Sequence, residues 1–184
     1  MEAVLKTREN TGRNVHLLLV GEGPIQREMN MRTQPAHIHL LGFRDDVVEC
    51  FALSDVGALA SSYPGESAPL CVIECLAAGR PMIATDCGEI STMINADSAQ
   101  PAGVLIPVRS YKERVIDLTN AISRMAEDAL YHRELCTNTV RAVGRYTMAN
   151  IGAAYADIFL KLASKRIDQA TDRHLRLCLA RKIL

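Results

Sequence analysis

Apolar runs and polar breaks alternate along the first part of this chain. Five short runs are mainly apolar and are predicted strands, at residues 15–20, 37–41, 56–60, 82–85 and 104–106. The first and the third are expected to be buried, as strands of a parallel sheet are. Segments typical of helices lie between them, at about 25–32, 45–54, 68–78 and 89–95. Residues 2–10 also favour a helix, and the later part of the chain favours helices only, at about 111–126, 128–146 and 148–166.

This alternation predicts an α/β fold. We expect an open, doubly wound parallel sheet of the Rossmann-like type, with right-handed crossovers and terminal helices. Residues 1–166 are predicted to form one Rossmann-like domain, since a chain of 184 residues is long enough for a single substantial core. Residues 167–184 are basic and are expected to form an exposed helix or a frayed tail.

The composition argues against two classes of protein, those that bind nucleic acid and those that span a membrane. Lys plus Arg and Asp plus Glu both number 21, so no global charge attracts nucleic acid or an anionic membrane. The chain has no Trp and 4% aromatic residues, which leaves no obvious platform for stacking bases. It has no apolar run of the roughly 20 residues of a membrane span, and its charged N-terminus lacks a signal peptide's apolar core. We expect a cytoplasmic protein without a nucleic-acid partner, and peripheral membrane association stays open.

The cysteines do not form a recognisable metal motif. None of the six belongs to a C-x-x-C pair, although Cys71 and Cys75 share one helix face. Such residues are more often small core side chains of a reducing compartment than metal ligands. The chain also lacks an H-E-x-x-H motif, a phosphate-binding P-loop and a G-x-S-x-G elbow. We therefore predict neither a metal nor a cofactor.

A glycine-rich turn comes after the first apolar run. Residues 21–26 begin like the dinucleotide fingerprint G-x-G-x-x-G, but Gln26 occupies the third glycine position. The acidic residue expected after the next strand is missing as well, because residues 41–43 are Leu-Gly-Phe. A dinucleotide site is not favoured. Gly21 and Gly23 either line a nucleotide cleft with their backbone or form only a tight strand-to-helix turn.

Two glutamates surround the start of the helix predicted at 68–78. Ser67 is expected to cap this helix, Pro69 to enter its first turn and Gly79 to end it. Glu66 would lie beside the free N–H groups of the helix, and Glu74 about 8 Å further along its axis. A nucleotide-diphosphate sugar has a matching layout of hydroxyls, phosphates and ribose. The alternative is that both are solvated surface residues.

The same segment resembles the donor-binding signature of retaining glycosyltransferases of the GT-B class, in family four. Glu66 and Glu74 match two glutamates separated by seven residues, and residues 77–85, Ala-Ala-Gly-Arg-Pro-Met-Ile-Ala-Thr, match the later part of that signature. Further matches occur at residues 19–24, 39–43 and 102–107, so the similarity extends over about residues 15–159. The resemblance implies the C-terminal, donor-binding half of a GT-B enzyme.

That resemblance implies a role for each site residue. Glu66 would be the catalytic residue that contacts the donor sugar near the reacting carbon, and Glu74 would bind the ribose hydroxyls. Backbone N–H groups of Ser67, Ala68 and Leu70 would bind phosphate or sugar. The backbone around Leu41, Gly42 and Phe43 would hold the base, and Gly21 and Gly23 would line the cleft. The implied site is independent of metal, and a nucleotide-diphosphate sugar is the implied ligand.

Two features of the family have no match in this chain. Relatives open this half with a strand and a basic loop that grips the diphosphate, and they carry a separate acceptor-binding half. We therefore expect an unpaired strand, self-association, and an inactive chain that needs an acceptor-binding lobe or subunit. Two alternatives remain: a non-catalytic sugar-nucleotide-binding or regulatory module, and a sugar-nucleotide epimerase of the same fold. The nucleotide, the sugar and the acceptor stay open.

Overall fold

Strands and helices alternate in the order that the sequence predicts. The computed structural model describes residues 1–31, 33–95 and 100–180. Arg32, at the end of the helix predicted at 25–32, and Arg181 and Lys182, in the predicted basic tail, lie outside these ranges. The elements are α1 Glu2–Thr11, β1 Leu17–Val20, α2 Pro24–Asn30, β2 Ile38–Gly42, α3 Val47–Ala52, β3 Gly57–Leu59, α4 Leu70–Ala77, β4 Met82–Thr85, α5 Ile90–Ile94, β5 Gly103–Ile106, α6 Tyr111–Glu127, α7 Ala129–Gly144 and α8 Met148–Ala180.

All strand pairs in the described residues are parallel, and they form two ladders. One contains β1 and β2, with Leu17 opposite Ile38 and an irregularity in the register between Leu19 and Val20. The other has the order β3-β4-β5, with Met82 between Gly57 and Gly103. Each partner in these ladders is the next strand along the chain, joined through a helix. The predicted α/β class with a parallel, Rossmann-like sheet is confirmed.

The core centres on β4. All four of its side chains are buried, and Ile83 packs in a cluster of buried side chains from β5, α6 and α7: Ile106, Ala121, Met125 and Leu135. α6 is held at its start by a capping box, in which Ser110 and Glu113 satisfy each other's backbone groups. Helices α6 and α7 therefore pack directly against β4 and β5.

The prediction of complete burial is wrong for β1 and β3. In β1 the side chains of Leu17, Leu18 and Leu19 are half-buried and Val20 is 39% exposed. In β3 the middle residue, Ala58, is exposed. The buried cluster around Ile83 includes no side chain of β1 or β3, and within the described residues β1 pairs only with β2 and β3 only with β4.

Two predicted helix starts also need correction. α4 begins at Leu70 with Pro69 at the N-cap and no side-chain cap, so Ser67 does not cap it. α3 begins at Val47 rather than at Asp45, and Asp46 at its N-cap makes no side-chain cap either. The Asp46 carboxylate instead accepts a 2.6 Å hydrogen bond from Arg44 Nε. At α4, a proline occupies the N-cap position that Ser67 was expected to take. At α3, the Asp46 carboxylate binds Arg44 and not the first turn of the helix.

The end of α4 agrees with the sequence. Gly79 has φ of 73°, and its N–H donates to the carbonyl of Leu76 at 3.0 Å. The N–H of Arg80 donates to the carbonyl of Cys75 at 3.1 Å, which completes a Schellman motif. This motif turns the chain directly from α4 into β4, and thereby fixes the helix against the buried strand.

The chain divides into two compact units, Met1–Val143 and Gly144–Leu184. The predicted boundary at 166 falls within α8, which is continuous over residues 148–180. Near the start of the second unit, Asn150 Nδ2 donates to the carbonyl of Gly144 at 2.6 Å. Further along α8, Lys161 and Asp157 form an ion pair at 2.6 Å. Among the described residues, no helix combines the length and the apolar character that a membrane crossing requires.

Candidate functional site

Glu66 lies in the loop between β3 and α4, and its backbone is anchored on both sides. Its N–H donates to the carbonyl of Tyr63 at 3.3 Å, which closes a turn within the loop. Its carbonyl accepts a 2.9 Å hydrogen bond from the N–H of Glu89, in the segment between β4 and α5. The Glu66 side chain is half-buried. Two crossover loops of the β3-β4-β5 sheet therefore meet at the backbone of Glu66.

Gly88 makes this anchor possible, and sequence reasoning missed it. Its φ is 54°, and a Cβ at this position would lie 1.6 Å from the carbonyl oxygen of Glu66. No larger side chain fits unless one of the two loops moves. The available signal was a glycine between a predicted strand and a predicted helix, where a close approach of backbones is frequent.

The two glutamates both act on the first turn of α4. The pKa of Cys71 is raised, chiefly by burial and then by the charges of Glu74 and Glu66. The pKa of Cys87, after β4, is raised by burial and then by Glu66 and Asp86. Glu66 therefore contributes to the raised pKa of a thiol at the start of α4 and of another after β4, and Glu74 contributes to the first of these.

The start of α4 offers free donors beside these carboxylates. Ser67, Ala68 and Leu70 are exposed, and Leu70 is 69% accessible. Within the described residues, the backbone N–H groups of these three make no hydrogen bond, whereas Val72 N–H already donates to the carbonyl of Pro69 at 3.0 Å. Unpaired N–H groups at a helix N-terminus attract anions such as phosphate.

The residues predicted to hold the base lie at the ends of β1 and β2. The N–H of Gly21 donates to the carbonyl of Gly42 at 2.7 Å, and both glycines have positive φ, of 127° and 68°. Gly23 is the extended N-cap residue of α2. Leu41 is 39% exposed and Phe43 71% exposed. The glycines therefore join the two strand ends, next to apolar side chains that are accessible to a ligand.

Basic side chains are scarce around these loops. Residues 21–26, 60–69 and 85–90 contain no Lys or Arg. Arg80 Nη2 donates to the carbonyl of Ala52 at 2.7 Å and thus binds the end of α3. In the part of the chain that the structure describes, no group of three or more His, Cys, Asp or Glu side chains is arranged to hold a metal ion. These three segments can offer carboxylates and amides to a ligand but no cation, whereas the connections that follow β2 and β5 contain Arg44, which is paired with Asp46, and the exposed Arg109.

Solved glycosyltransferase structures of the GT-B type share this fold. The Anabaena protein Alr3699/HepE in complex with UDP-glucose is similar with a TM-score of 0.67 and 19% identity, over 88% of this chain and 45% of that one. The GtfA/B complex gives 0.72 and 17%, over 86% and 32% of the two chains. Sucrose-phosphate synthase from Thermosynechococcus elongatus gives 0.64 and 21%, over 89% and 43%.

The chain belongs to the family "Glycosyl transferases group 1", whose model matches residues 1–128. It spans less than half the length of the three solved proteins above. No curated protein is similar enough in sequence to be matched. The matched residues include β1 to β5, both glutamates and the Gly88 turn.

Proposed function

We propose that this chain binds a nucleotide-diphosphate sugar and is the donor-binding half of a retaining glycosyltransferase of family four. The observation that carries this proposal is the anchored position of Glu66, half-buried beside free N–H groups at the start of α4, with Glu74 on the same helix. The solved protein in complex with UDP-glucose, which has the same fold, supports the class of ligand.

The chemistry of the site suits the parts of such a donor. The diphosphate is expected at the N–H groups of Ser67, Ala68 and Leu70, because partial positive charge concentrates at a helix N-terminus. We expect the Glu74 carboxylate to accept hydrogen bonds from the ribose hydroxyls, and the Glu66 carboxylate to accept them from the sugar hydroxyls near the reacting carbon. The Gly21–Gly42 connection and Phe43 are the expected contacts of the base.

Sugar transfer also requires stabilisation of the leaving diphosphate. The loss of one contact of this kind typically lowers the rate by about 10² or more. The segments 60–69 and 85–90 that surround Glu66 supply no cation, and we propose that this chain does not transfer sugar by itself and needs an acceptor-binding lobe or subunit. The same observation favours a second candidate, a binding module that retains the donor site without turnover.

Titration calorimetry with UDP-, GDP- and ADP-glucose tests the binding proposal. We expect one of the three to bind with a Kd in the millimolar range or below. Glu74→Gln should weaken that binding by about tenfold or more, since a hydrogen bond to a charged group is worth about 1.5–3 kcal/mol. The matched control is Glu134→Gln, an exposed glutamate on α7, which should leave the Kd unchanged.

No binding of any of the three at millimolar concentration would reject the donor-site proposal. Equal weakening by both variants would reject the role of Glu74. Rapid turnover of a labelled donor by the purified chain would contradict the proposed dependence on a further lobe or subunit.

A further inference from the structure

Three histidines that are distant in sequence meet at the amino end of the β1-β2 ladder. His16 precedes β1, His37 precedes β2, and His39 lies within β2. In the parallel register Leu18 is opposite His39, and residues two apart along a strand share one face. His16 and His39 are therefore on the same face of the ladder. Their spacing along the chain forms no metal motif, because it is the register of two strands that brings them together.

The rings of His16 and His39 contact each other through nitrogen atoms. Nδ1 of His16 lies 2.9 Å from Nε2 of His39, and the ring centroids are 5.2 Å apart with an angle of 20° between the ring planes. One of these two nitrogens accepts the shared hydrogen, so at least one ring presents a neutral lone pair at the contact. His16 is exposed and His39 is half-buried, so the pair is open to ions from solvent.

The distance between the two nitrogens suits neighbouring ligands of one metal ion. With metal–nitrogen bonds of about 2.0–2.1 Å, two ligands at a right angle lie about 2.9 Å apart, whereas a tetrahedral angle separates them by about 3.3 Å. The observed separation of 2.9 Å matches the right angle. Tetragonal sites of this kind are typical of Cu²⁺ and Ni²⁺, and imidazole suits both ions. The geometry therefore favours these ions over tetrahedral Zn²⁺.

His37 lies beside this pair without completing it. After burial, the charge of Arg8 and then those of the pair lower the pKa of His37. Its Nε2 is inaccessible to solvent and has no hydrogen-bond partner among the described residues. However, no three His, Cys, Asp or Glu side chains in the described residues are arranged to hold a metal ion. The remaining coordination positions therefore belong to water.

Arg8 limits the affinity of such a site. Its guanidinium donates to Asn14 Oδ1 at 2.7 Å and to the carbonyl of Val15 at 2.8 Å, which holds it near the start of β1. A fixed positive charge repels a second cation. We therefore expect binding that is weaker than at a site with a carboxylate or a third imidazole.

We propose that His16 Nδ1 and His39 Nε2 form a two-histidine site for one divalent transition-metal ion of the Cu²⁺ and Ni²⁺ class. The ion takes the place of the shared hydrogen, and water completes its coordination. This inference goes beyond the proposed function, because the site lies at the other end of the ladder from the predicted donor contacts: Gly21 follows His16 by five residues, or about 16 Å along a strand. A bound ion links the starts of β1 and β2 and stabilises their ladder.

Calorimetric titration of the tag-free chain with Ni²⁺, at pH 7.5 and without nucleotide, tests this site. Ni²⁺ is the probe because the free cysteines would compete for copper. We expect one ion per chain. His16→Gln and His39→Gln should each weaken binding by at least about tenfold, since the loss of even an outer partner of a metal ligand costs about 10–100-fold in affinity. The matched control is His132→Gln, a half-buried histidine on α7, which should leave the Kd unchanged.

Hydrogen exchange followed by mass spectrometry provides a second measurement that needs no variant. At a free Ni²⁺ concentration of about ten times the Kd, exchange in β1 and β2 should slow about tenfold, because binding stabilises the closed ladder by the factor 1 + [L]/Kd. Exchange in β4, which belongs to the other ladder, should change less.

Three results would overturn the proposal. No binding of Ni²⁺ up to millimolar concentration would show that the two rings form a hydrogen bond only. Binding that persists in both His16→Gln and His39→Gln, or that His132→Gln weakens equally, would place the ion elsewhere. Equal slowing of exchange in β4 and in the β1-β2 ladder would contradict a site at the start of that ladder.

Discussion

β4 and β1 are both short, mainly apolar strands, but their surroundings differ. Each is a four-residue apolar strand in a parallel ladder, Met-Ile-Ala-Thr in β4 and Leu-Leu-Leu-Val in β1. β4 lies between β3 and β5, and Met82, Ile83 and Ala84 are inaccessible. β1 pairs on one side only, and none of its residues is buried. Apolar composition thus predicts that a strand forms, whereas burial depends on partners that lie elsewhere in the chain.

Truncation of one side chain in each strand measures this difference directly. Ile83→Ala should lower the free energy of unfolding by about 2–5 kcal/mol, because it leaves a cavity among Ile106, Met125 and Leu135. Leu18→Ala should lower it by less than half as much, since the half-buried Leu18 can relax towards solvent. Urea unfolding at one pH and temperature provides both values. Equal losses would mean that β1 is packed as firmly as β4.

Gly88→Ala tests whether the close contact of Gly88 with the Glu66 backbone holds the candidate site in place. A left-handed conformation costs an L-residue about 1–2 kcal/mol, and Gly79→Ala, at φ of 73° with open space around its Cβ, should cost only that amount. Gly88→Ala should cost more, because its Cβ would collide with the carbonyl of Glu66. It should also displace Glu66 and weaken binding of a sugar nucleotide, which Gly79→Ala should leave intact. Thermal unfolding and calorimetry distinguish the two variants, and identical behaviour would refute the anchoring role.

The smallest expected effect concerns pH and the β1-β2 ladder. Burial, followed by Arg8, His16 and His39, holds the pKa of His37 below its usual value. The unfolded chain therefore binds the proton more readily, so stability is complete above about pH 6.5 and falls as the pH drops through the folded pKa. Because the ring is half-buried, solvent screens the effect.

Amide protection factors at pH 7.5 and pH 5.5 test this dependence. They should fall about twofold to fivefold in β1 and β2 at the lower pH, and less in β4, which itself contains no histidine. His37→Gln should remove the difference between the two ladders. An equal fall in all strands, or one that persists in His37→Gln, would contradict the assignment to His37.

Local patterns predicted the elements well, since strand and helix periods and the Gly79 stop signal depend on neighbours in sequence. Capping was harder to predict: Ser67 was expected to cap α4, but Pro69 occupies the N-cap. The burial of β1 and β3 was mispredicted because it depends on the elements beside them, which their own residues do not specify. Both glutamates were proposed from a spacing in sequence, and their roles remain a prediction. Gly88 was missed because its contact with Glu66 joins two loops.

The pairing of strands that are consecutive along the chain also has a kinetic consequence. Every ladder contact in the described residues links consecutive strands through a single crossover helix, so each closes a short loop at a small entropic cost. Each ladder can therefore form separately from the other, although parallel pairing across a helix is slower than the formation of local helical contacts. Val20 and Ala58 would then remain open to solvent after their own ladders have formed, and an unpaired apolar edge at that stage is a route to misassembly.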